Sequence, residues 1–302
     1  MSTAEPTRSR AATEETSGAR RDRERPPAPE PLPHPVVDNH CHLDIADGKP
    51  VATADAIAAA AAVGVPRIVQ IGCDLPGARW AVAAAAEHDP LIAGVALHPN
   101  EAPRLAATGD LEDALAEIER LAASHDKVRA IGETGLDTFR HAQSGTGDEG
   151  RAAQEESFRR HIDLARRLDK TLVIHDREAH DDVLRVLDEE GAPERWVMHC
   201  FSGDAAFARQ CLDRGAHLSF AGTVTFKNAA PQRNALAVTP LDRVLVETDA
   251  PFLTPTPWRG RPNASYLVPL TVRAMAEVRG DDLEVLCAAI DHNTEVAFGG
   301  PW

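Results

Sequence analysis

The chain has 302 residues and a formal net charge of −15, with 47 Asp and Glu against 32 Lys and Arg. No global basic field exists to attract nucleic acid, so a polyanionic substrate must be held by metal ions and a few local arginines. No run approaches the roughly 18 uninterrupted apolar residues of a membrane span, and the N-terminus lacks the apolar core of a signal peptide. The five cysteines are widely spaced with no Cys-x-x-Cys pair. They are expected as reduced thiols of a soluble, cytoplasmic protein without a membrane partner.

Residues 1–34 are rich in Arg, Glu, Pro, Ser and Thr and poor in large apolar side chains. Such a stretch buries too little surface to offset its ordering entropy and is expected as a disordered tail. A nucleic-acid-touching arm built on Arg20, Arg21, Arg23 and Arg25 is disfavoured by the acidic neighbours Asp22 and Glu24. Residues 35–302 are expected as one domain.

From Val36 onward, short apolar runs alternate with longer Ala/Leu segments of helical period, the pattern of repeated βα units around a parallel sheet. The strand candidates are 36–40, 67–72, 92–97, 128–132, 172–175, 196–199, 217–220 and 243–246. Helices are expected at 53–63, 76–88, 110–124, 151–168, 178–190, 204–214 and 231–237, then at 264–278, 281–290 and 292–298. Eight strands, each followed by a helix, predict an α/β fold of the closed (β/α)8 TIM-barrel type rather than an open doubly wound sheet. A chain of this length suits such a barrel, which typically needs about 250 residues. No Gly-x-Gly-x-x-Gly follows the first strand, which disfavours a dinucleotide fold. Thr53 and Asp110 are expected as N-caps, and Gly64, Gly191 and Gly215 as the glycines that end helices. Leu111, Leu115, Ile118 and Leu121 form a core-facing stripe. The Gly- and Ser-rich stretch 140–150 and the Pro-rich stretch 254–262 follow strand ends, where barrel enzymes place substrate loops.

The first strand closes on Asp38-Asn39-His40-Cys41-His42. Strand alternation puts His40 and His42 on one face with Asp38, and Asn39 and Cys41 on the other. Later strands end similarly: His98 follows the third, Glu133 the fourth, His175 and His199 end the fifth and sixth, and Asp249 follows the eighth. A parallel barrel gathers these C-terminal ends at one mouth, where the active site is expected. Imidazole and carboxylate ligands without thiolate suit zinc, manganese or iron and accept magnesium. Six of these seven residues, as ligands, already exceed what one catalytic ion with an open position needs, and they suit two divalent ions about 3.5–4 Å apart. Cys41 and Cys200 sit beside ligands in sequence but are expected to face the core.

These stretches make the chain resemble the TatD family of metal-dependent deoxyribonucleases, within the amidohydrolase-like metal barrels. The matching segments are Asp38 to His42, Leu97-His98-Pro99, Ile131 to Asp137, Val173 to Arg177, Met198 to Gly203, Thr225-Phe226-Lys227 and Val246 to Leu253. The resemblance implies that His40, His42 and Asp249 bind one ion, that His175 and His199 bind the second, and that Glu133 bridges them. Related barrels often bridge with a carboxylated lysine on the fourth strand; Glu133 stands at that place. Asp249 is the implied general base and, with Glu133, the catalytic pair. His98 and Arg177 are candidates for holding the substrate phosphate, Arg177 alternatively pairing with Glu178 or Asp181. Asp137, Glu247 and Thr248 are expected to orient ligands, and Lys227 and Arg259 to lie near the substrate. Where many relatives follow Arg-Gly with Asn-Glu-Pro, this chain has Asn263-Ala264-Ser265.

The implied activity is hydrolysis of phosphodiesters in DNA, trimming single strands from the 3′ end, by a protein expected to be monomeric. The alternative is an amide, lactone or small phosphoester hydrolase of the same superfamily.

Overall fold

The computed structural model describes residues 3, 5–13, 18 and 20–302. Eight parallel strands follow one another in chain order around a single sheet. They are β1 (Val37–Cys41), β2 (Arg67–Gly72), β3 (Leu91–Val95), β4 (Val128–Asp137), β5 (Thr171–Arg177), β6 (Trp196–Met198), β7 (His217–Phe220) and β8 (Val244–Val246). Every neighbouring pair from β1 to β8 is in parallel register. The ring closes just past the ends of β8 and β1. There the Asp249 amide donates to the His40 carbonyl at 2.9 Å and the His42 amide to the Ala250 carbonyl at 2.7 Å. The chain is a (β/α)8 TIM barrel, as its strand count predicts.

Two apolar layers hold the ring. Inside, Val37, Val69, Ile71, Ile92, Val173, Val197 and Leu245 pack with Phe298, which plugs the end opposite the mouth. Outside, the helices cover the sheet with fully buried side chains such as Trp80, Ile118 and Phe158. Parallel strands sealed on both faces need continuous apolar runs, which is what made them legible.

The helices α1 (Thr53–Ala61), α2 (Leu75–Glu87), α3 (Glu101–Thr108), α4 (Leu111–Ala122), α5 (Thr138–Ser144) and α6 (Gly147–Arg167) cover the first half. They are followed by α7 (His180–Glu190), α8 (Ala205–Asp213), α9 (Ala230–Val238), α10 (Val268–Arg279) and α11 (Leu283–Ala297). Gly64, Gly191 and Gly215 take positive φ angles of 89°, 79° and 87° at helix ends, as expected. Two expected caps differ. Thr53 is the first helical residue, and its hydroxyl donates to the Thr3 carbonyl rather than capping α1. Asp110 stands at the cap position of α4, but its carboxylate accepts from the Thr108 hydroxyl instead. The separate helices expected at 281–290 and 292–298 are the single helix α11. Its polar Asn293 faces inward and donates to the carbonyls of Leu241 and Val244, so a polar residue does not mark a break.

The stretch before Val36, expected from composition as a tail, makes specific contacts among its described residues. Arg8–Ser9 pair in parallel with Ile45–Ala46. The Tyr266 hydroxyl donates to the Pro26 carbonyl at 2.6 Å, and Arg273 donates to the Pro31 carbonyl at 3.0 Å. The part of that expectation falling on residues 1, 2, 4, 14–17 and 19 lies outside the described residues. Among the described residues, no helix is long and apolar enough to cross a membrane.

Candidate metal centre

The predicted strand-end residues meet at one mouth. Strict alternation along β1 fails, because the register against β2 shifts between Asp38 and Cys41. Asp38 therefore does not join the histidines. It accepts from the Thr248 amide at 2.9 Å and the Thr248 hydroxyl at 2.6 Å. Asn39, expected on the far face, donates to Ser219 Oγ at 2.8 Å, and that hydroxyl donates in turn to Glu247 Oε2 at 2.5 Å. His40 and His42 still share the site, and Cys41 faces the outer core as expected.

Glu133 lies at the centre, placed by a backbone that only glycine permits on either side. A Cβ on Gly132 would collide with Val173, and one on Gly135, at φ +142°, with the His175 carbonyl. β4 thus lies close against β5 and delivers the carboxylate between the histidines. Its Oε1 lies 3.7 Å from His40 Nε2 and 3.6 Å from His42 Nε2. Its Oε2 lies 3.1 Å from His175 Nδ1 and 2.7 Å from His199 Nε2. Asp249, at φ +54°, turns its carboxylate back over the mouth, 3.3 Å from His42 Nε2 and 3.8 Å from His40 Nε2.

Each imidazole is oriented from behind. His42 Nδ1 donates to the Ile71 carbonyl at 3.0 Å, which turns Nε2 inward. His199 Nδ1 faces Glu247 Oε1 at 3.2 Å, and His175 Nε2 lies 3.4 Å from Asp137 Oδ2. Such partners fix tautomer and ring angle. Asp137 and Glu247 therefore stand where ligand-orienting residues were expected, whereas Thr248 serves Asp38. His98 stands against the cluster itself: its ring is 4.4 Å from that of His175, edge to face. His98 Nδ1 accepts from the Asn100 amide at 3.0 Å. Burial, reinforced by the nearby His175, pushes the His98 pKa down to about 3, so the ring is neutral at ordinary pH.

Electrostatics test whether a cation fits. Burial pushes the Glu133 carboxyl upward, but the charge of His199 and the bonds from His175 and His199 outweigh it and hold it well below its usual range. Burial lowers His42, yet hydrogen bonding and charge from Asp249 carry it up to about 9. His199 rises well above its usual value, because Glu133 and Glu247 overcome its burial. The cluster thus draws protons onto imidazoles, which are the groups a metal ion would displace them from. His40 goes the other way. Burial and the neighbouring His199 lower its pKa, and neither ring nitrogen has a hydrogen-bond partner among the described residues. A buried, unprotonated imidazole without a partner is what a metal ligand looks like before its ion is counted. Three overlapping triads bring their donor atoms within 4.8 Å of one another: His40, His42 and Glu133; His40, His199 and Asp249; and His98, Glu133 and His175.

A sequence model of the family described as "TatD related DNase" matches residues 37–299. The chain belongs to the TatD family. An uncharacterized metal-dependent hydrolase TatD of Mycobacterium tuberculosis is 44% identical over 268 residues, covering 88% of this chain and 99% of the relative. An uncharacterized metal-dependent hydrolase of Bacillus subtilis, YabD, is 38% identical over 264 residues, covering 87% and 98%. Among solved structures, the TatD homologue YjjV of Escherichia coli superposes with a TM-score of 0.78 at 27% identity, covering 88% of this chain and 98% of that one. This member of the TatD family is accordingly a metal-dependent hydrolase with its candidate metal site at the His/Glu/Asp cluster.

The remaining expected residues lie farther out. The Arg177 guanidinium lies 4.0 Å from the centre of the Phe139 ring, and that of Arg259 lies 4.3 Å from the centre of Phe226. Lys227 is exposed. One contact of the cluster escaped the sequence reading: the Cys73 thiol donates to Glu133 Oε1 at 3.0 Å. Cys73 directly follows the apolar run of β2, so the strand-end rule that found the other residues also points to it.

Proposed function

We propose that this protein is a two-metal hydrolase of DNA phosphodiesters that trims single strands from the 3′ end. The observation that supports it best is the division of labour at Glu133, whose two oxygens face two different pairs of imidazoles. A carboxylate so placed suits a bridge between two ions, one held by His40, His42 and Asp249, the other by His175 and His199. Zinc, manganese and magnesium are all compatible with nitrogen and oxygen donors. Bound divalent ions would supply electrostatic stabilisation of charge developing on the phosphoryl oxygens.

The chain's own residues supply the rest. The side chains of His40, His42, Glu133 and His199 are at most 5% exposed, whereas those of His175 and Asp249 are 17% and 15% exposed. Solvent and substrate therefore reach the cluster on the side of Asp249 and His175. There the Asp249 carboxylate would take a proton from water as its oxygen bonds to phosphorus, and the bond to the 3′ oxygen breaks with that oxygen taking a proton from solvent to leave as a hydroxyl. His98, neutral and acting through Nε2, and Arg177, through its planar fork, suit the phosphate. The arginine–aromatic pairs Arg177–Phe139 and Arg259–Phe226 flank the mouth and suit unstacked bases, which every single strand offers. A net charge of −15 disfavours long duplex, which presents about one phosphate per 1.7 Å of axis.

Digestion of a 3′-labelled single-stranded oligonucleotide with magnesium, manganese or zinc, beside Asp249→Asn and a chelator control, tests this reading. Labelled mononucleotides that require both metal and Asp249 are expected. An intact oligonucleotide with every metal, from folded and metal-loaded protein, would move the assignment to amides, lactones or small phosphoesters.

A further inference from the structure

The loop that leaves the centre after His42 contains two carboxylates, Asp44 and Asp47, whose side chains are wholly buried. A buried carboxylate needs a counter-ion as well as hydrogen bonds. Asp44 accepts from the neutral Gln70 at 3.0 Å, and its cationic partner is Arg8, whose Nε and Nη2 lie 2.9 and 2.5 Å from Oδ2. Asp47 is gripped by Arg21, with Nη1 at 3.0 Å from Oδ1 and Nη2 at 2.5 Å from Oδ2, and is approached by Arg10 and Arg23 at 3.4 and 3.5 Å. All four arginines precede residue 37, where the family match begins.

Arg8 does more than neutralise. Its Nη1 donates to Asp74 Oδ2 at 2.6 Å, and Asp74 caps α2 through the Gly77 amide. One guanidinium thereby clasps the loop after β1 to the loop after β2. The first loop follows His42 and the second begins at Cys73, and both of those side chains reach Glu133 Oε1. The backbone seals the same junction: the amides of Thr7 and Arg8 donate to the Asp44 carbonyl at 3.0 Å, and that of Arg10 to the Ala46 carbonyl at 2.8 Å.

We propose that residues 7–10 and 20–23 are a docked arm of the metal centre, in which Arg8 and Arg21 are positioning residues. They neutralise Asp44 and Asp47, and Arg8 holds the His42 loop against the Cys73 loop. This role does not depend on which bond the enzyme hydrolyses.

Hydrogen exchange on the full-length protein, paired with calorimetric titration of chelator-treated protein with Mn²⁺, tests it. In the unmodified chain the amides of Thr7, Arg8 and Arg10 are expected to be protected. In Arg8→Ala/Arg21→Ala that protection is lost, residues 43–49 exchange faster, and Mn²⁺ affinity falls about ten-fold. Adding Asp44→Asn and Asp47→Asn removes the stranded charges, so thermal stability returns while the arm stays undocked. This fourfold variant carries the affinity measurement should the double variant fail to fold. Unprotected arm amides in the unmodified protein, or unchanged Mn²⁺ affinity in a folded variant lacking both arginines, would overturn the proposal.

Discussion

The Cys73 thiol donates a 3.0 Å hydrogen bond to Glu133 Oε1, the oxygen that also faces His40 and His42. Burial, then the adjacent Glu133 charge, raises the thiol's pKa well above its ordinary value, so Cys73 acts as a donor and not as a thiolate. Cys73→Ala should free that oxygen to rotate and lower metal affinity by about ten-fold, whereas Cys73→Ser, which keeps a donor, should stay near wild type. Metal content after dialysis against graded metal buffers distinguishes the two variants. Equal losses in both would mean that the thiol's volume matters and its proton does not.

Asp249→Asn should leave the fold intact, because Asn tolerates the left-handed backbone seen at Asp249 as well as Asp does. Its turnover should nonetheless fall by roughly 10²–10⁴-fold, the usual contribution of a positioned general base. Single-turnover rates beside near-UV circular dichroism check both halves. A rate within a few-fold of wild type would remove Asp249 from the role of base.

Glu133→Gln keeps the shape of the side chain and removes the charge shared by the two histidine pairs. On the two-ion site proposed above, metal content is expected to drop from two ions per chain toward one, read by elemental analysis of dialysed protein. Chelation of the unmodified protein should lower its melting temperature, since an ion bound at about 100 times its dissociation constant stabilises by roughly 2.7 kcal/mol. A melting temperature indifferent to chelator would mean that the cluster does not bind metal.

His161 supplies a prediction about pH away from the metal. It is buried on α6, its Nδ1 donates to the Ser157 carbonyl at 2.6 Å, and its Nε2 accepts from the Leu97 amide at 3.2 Å. Burial lowers its pKa to about 4. The unfolded chain, near 6.5, binds the proton first, so this histidine's contribution is complete above about 6.5 and is lost as pH falls toward 4. The loss amounts to about 3 kcal/mol at most. Between these limits His161→Gln should show a shallower decline than wild type in urea midpoints. Parallel declines would assign the acid sensitivity elsewhere.

Much of the architecture was readable because strands buried on both faces must be written as apolar runs, and the catalytic mouth lies where those runs stop. That rule puts His40, His42, Glu133, His175, His199 and Asp249 at one mouth, where their side chains cluster. What failed was local. The register shift in β1 moved Asp38 and Asn39 off their expected faces, since a bulge is set by neighbouring strands and not by the residues themselves. The short helix α3, Glu101–Thr108, has too few turns to display a period, and α5, Thr138–Ser144, starts from the Asp137 carboxylate capping the Arg140 amide and runs into the stretch 140–150, read as a loop. The contacts of Arg8 and Arg21 were invisible for another reason. Composition counts an arginine as solvated unless a distant buried aspartate is known to await it.

The seam of the barrel lies at the Asp249–His40 and His42–Ala250 backbone bonds, which is to say among the ligands themselves. An ion held by His40, His42 and Asp249 would bolt the first turn of the ring to its last. Such a construction makes the protein poor material for circular permutation with new ends near residues 40 or 250, however exposed a linker there were made. New termini belong in the helical layer on the far side of the ring, where a cut leaves the bolt in place.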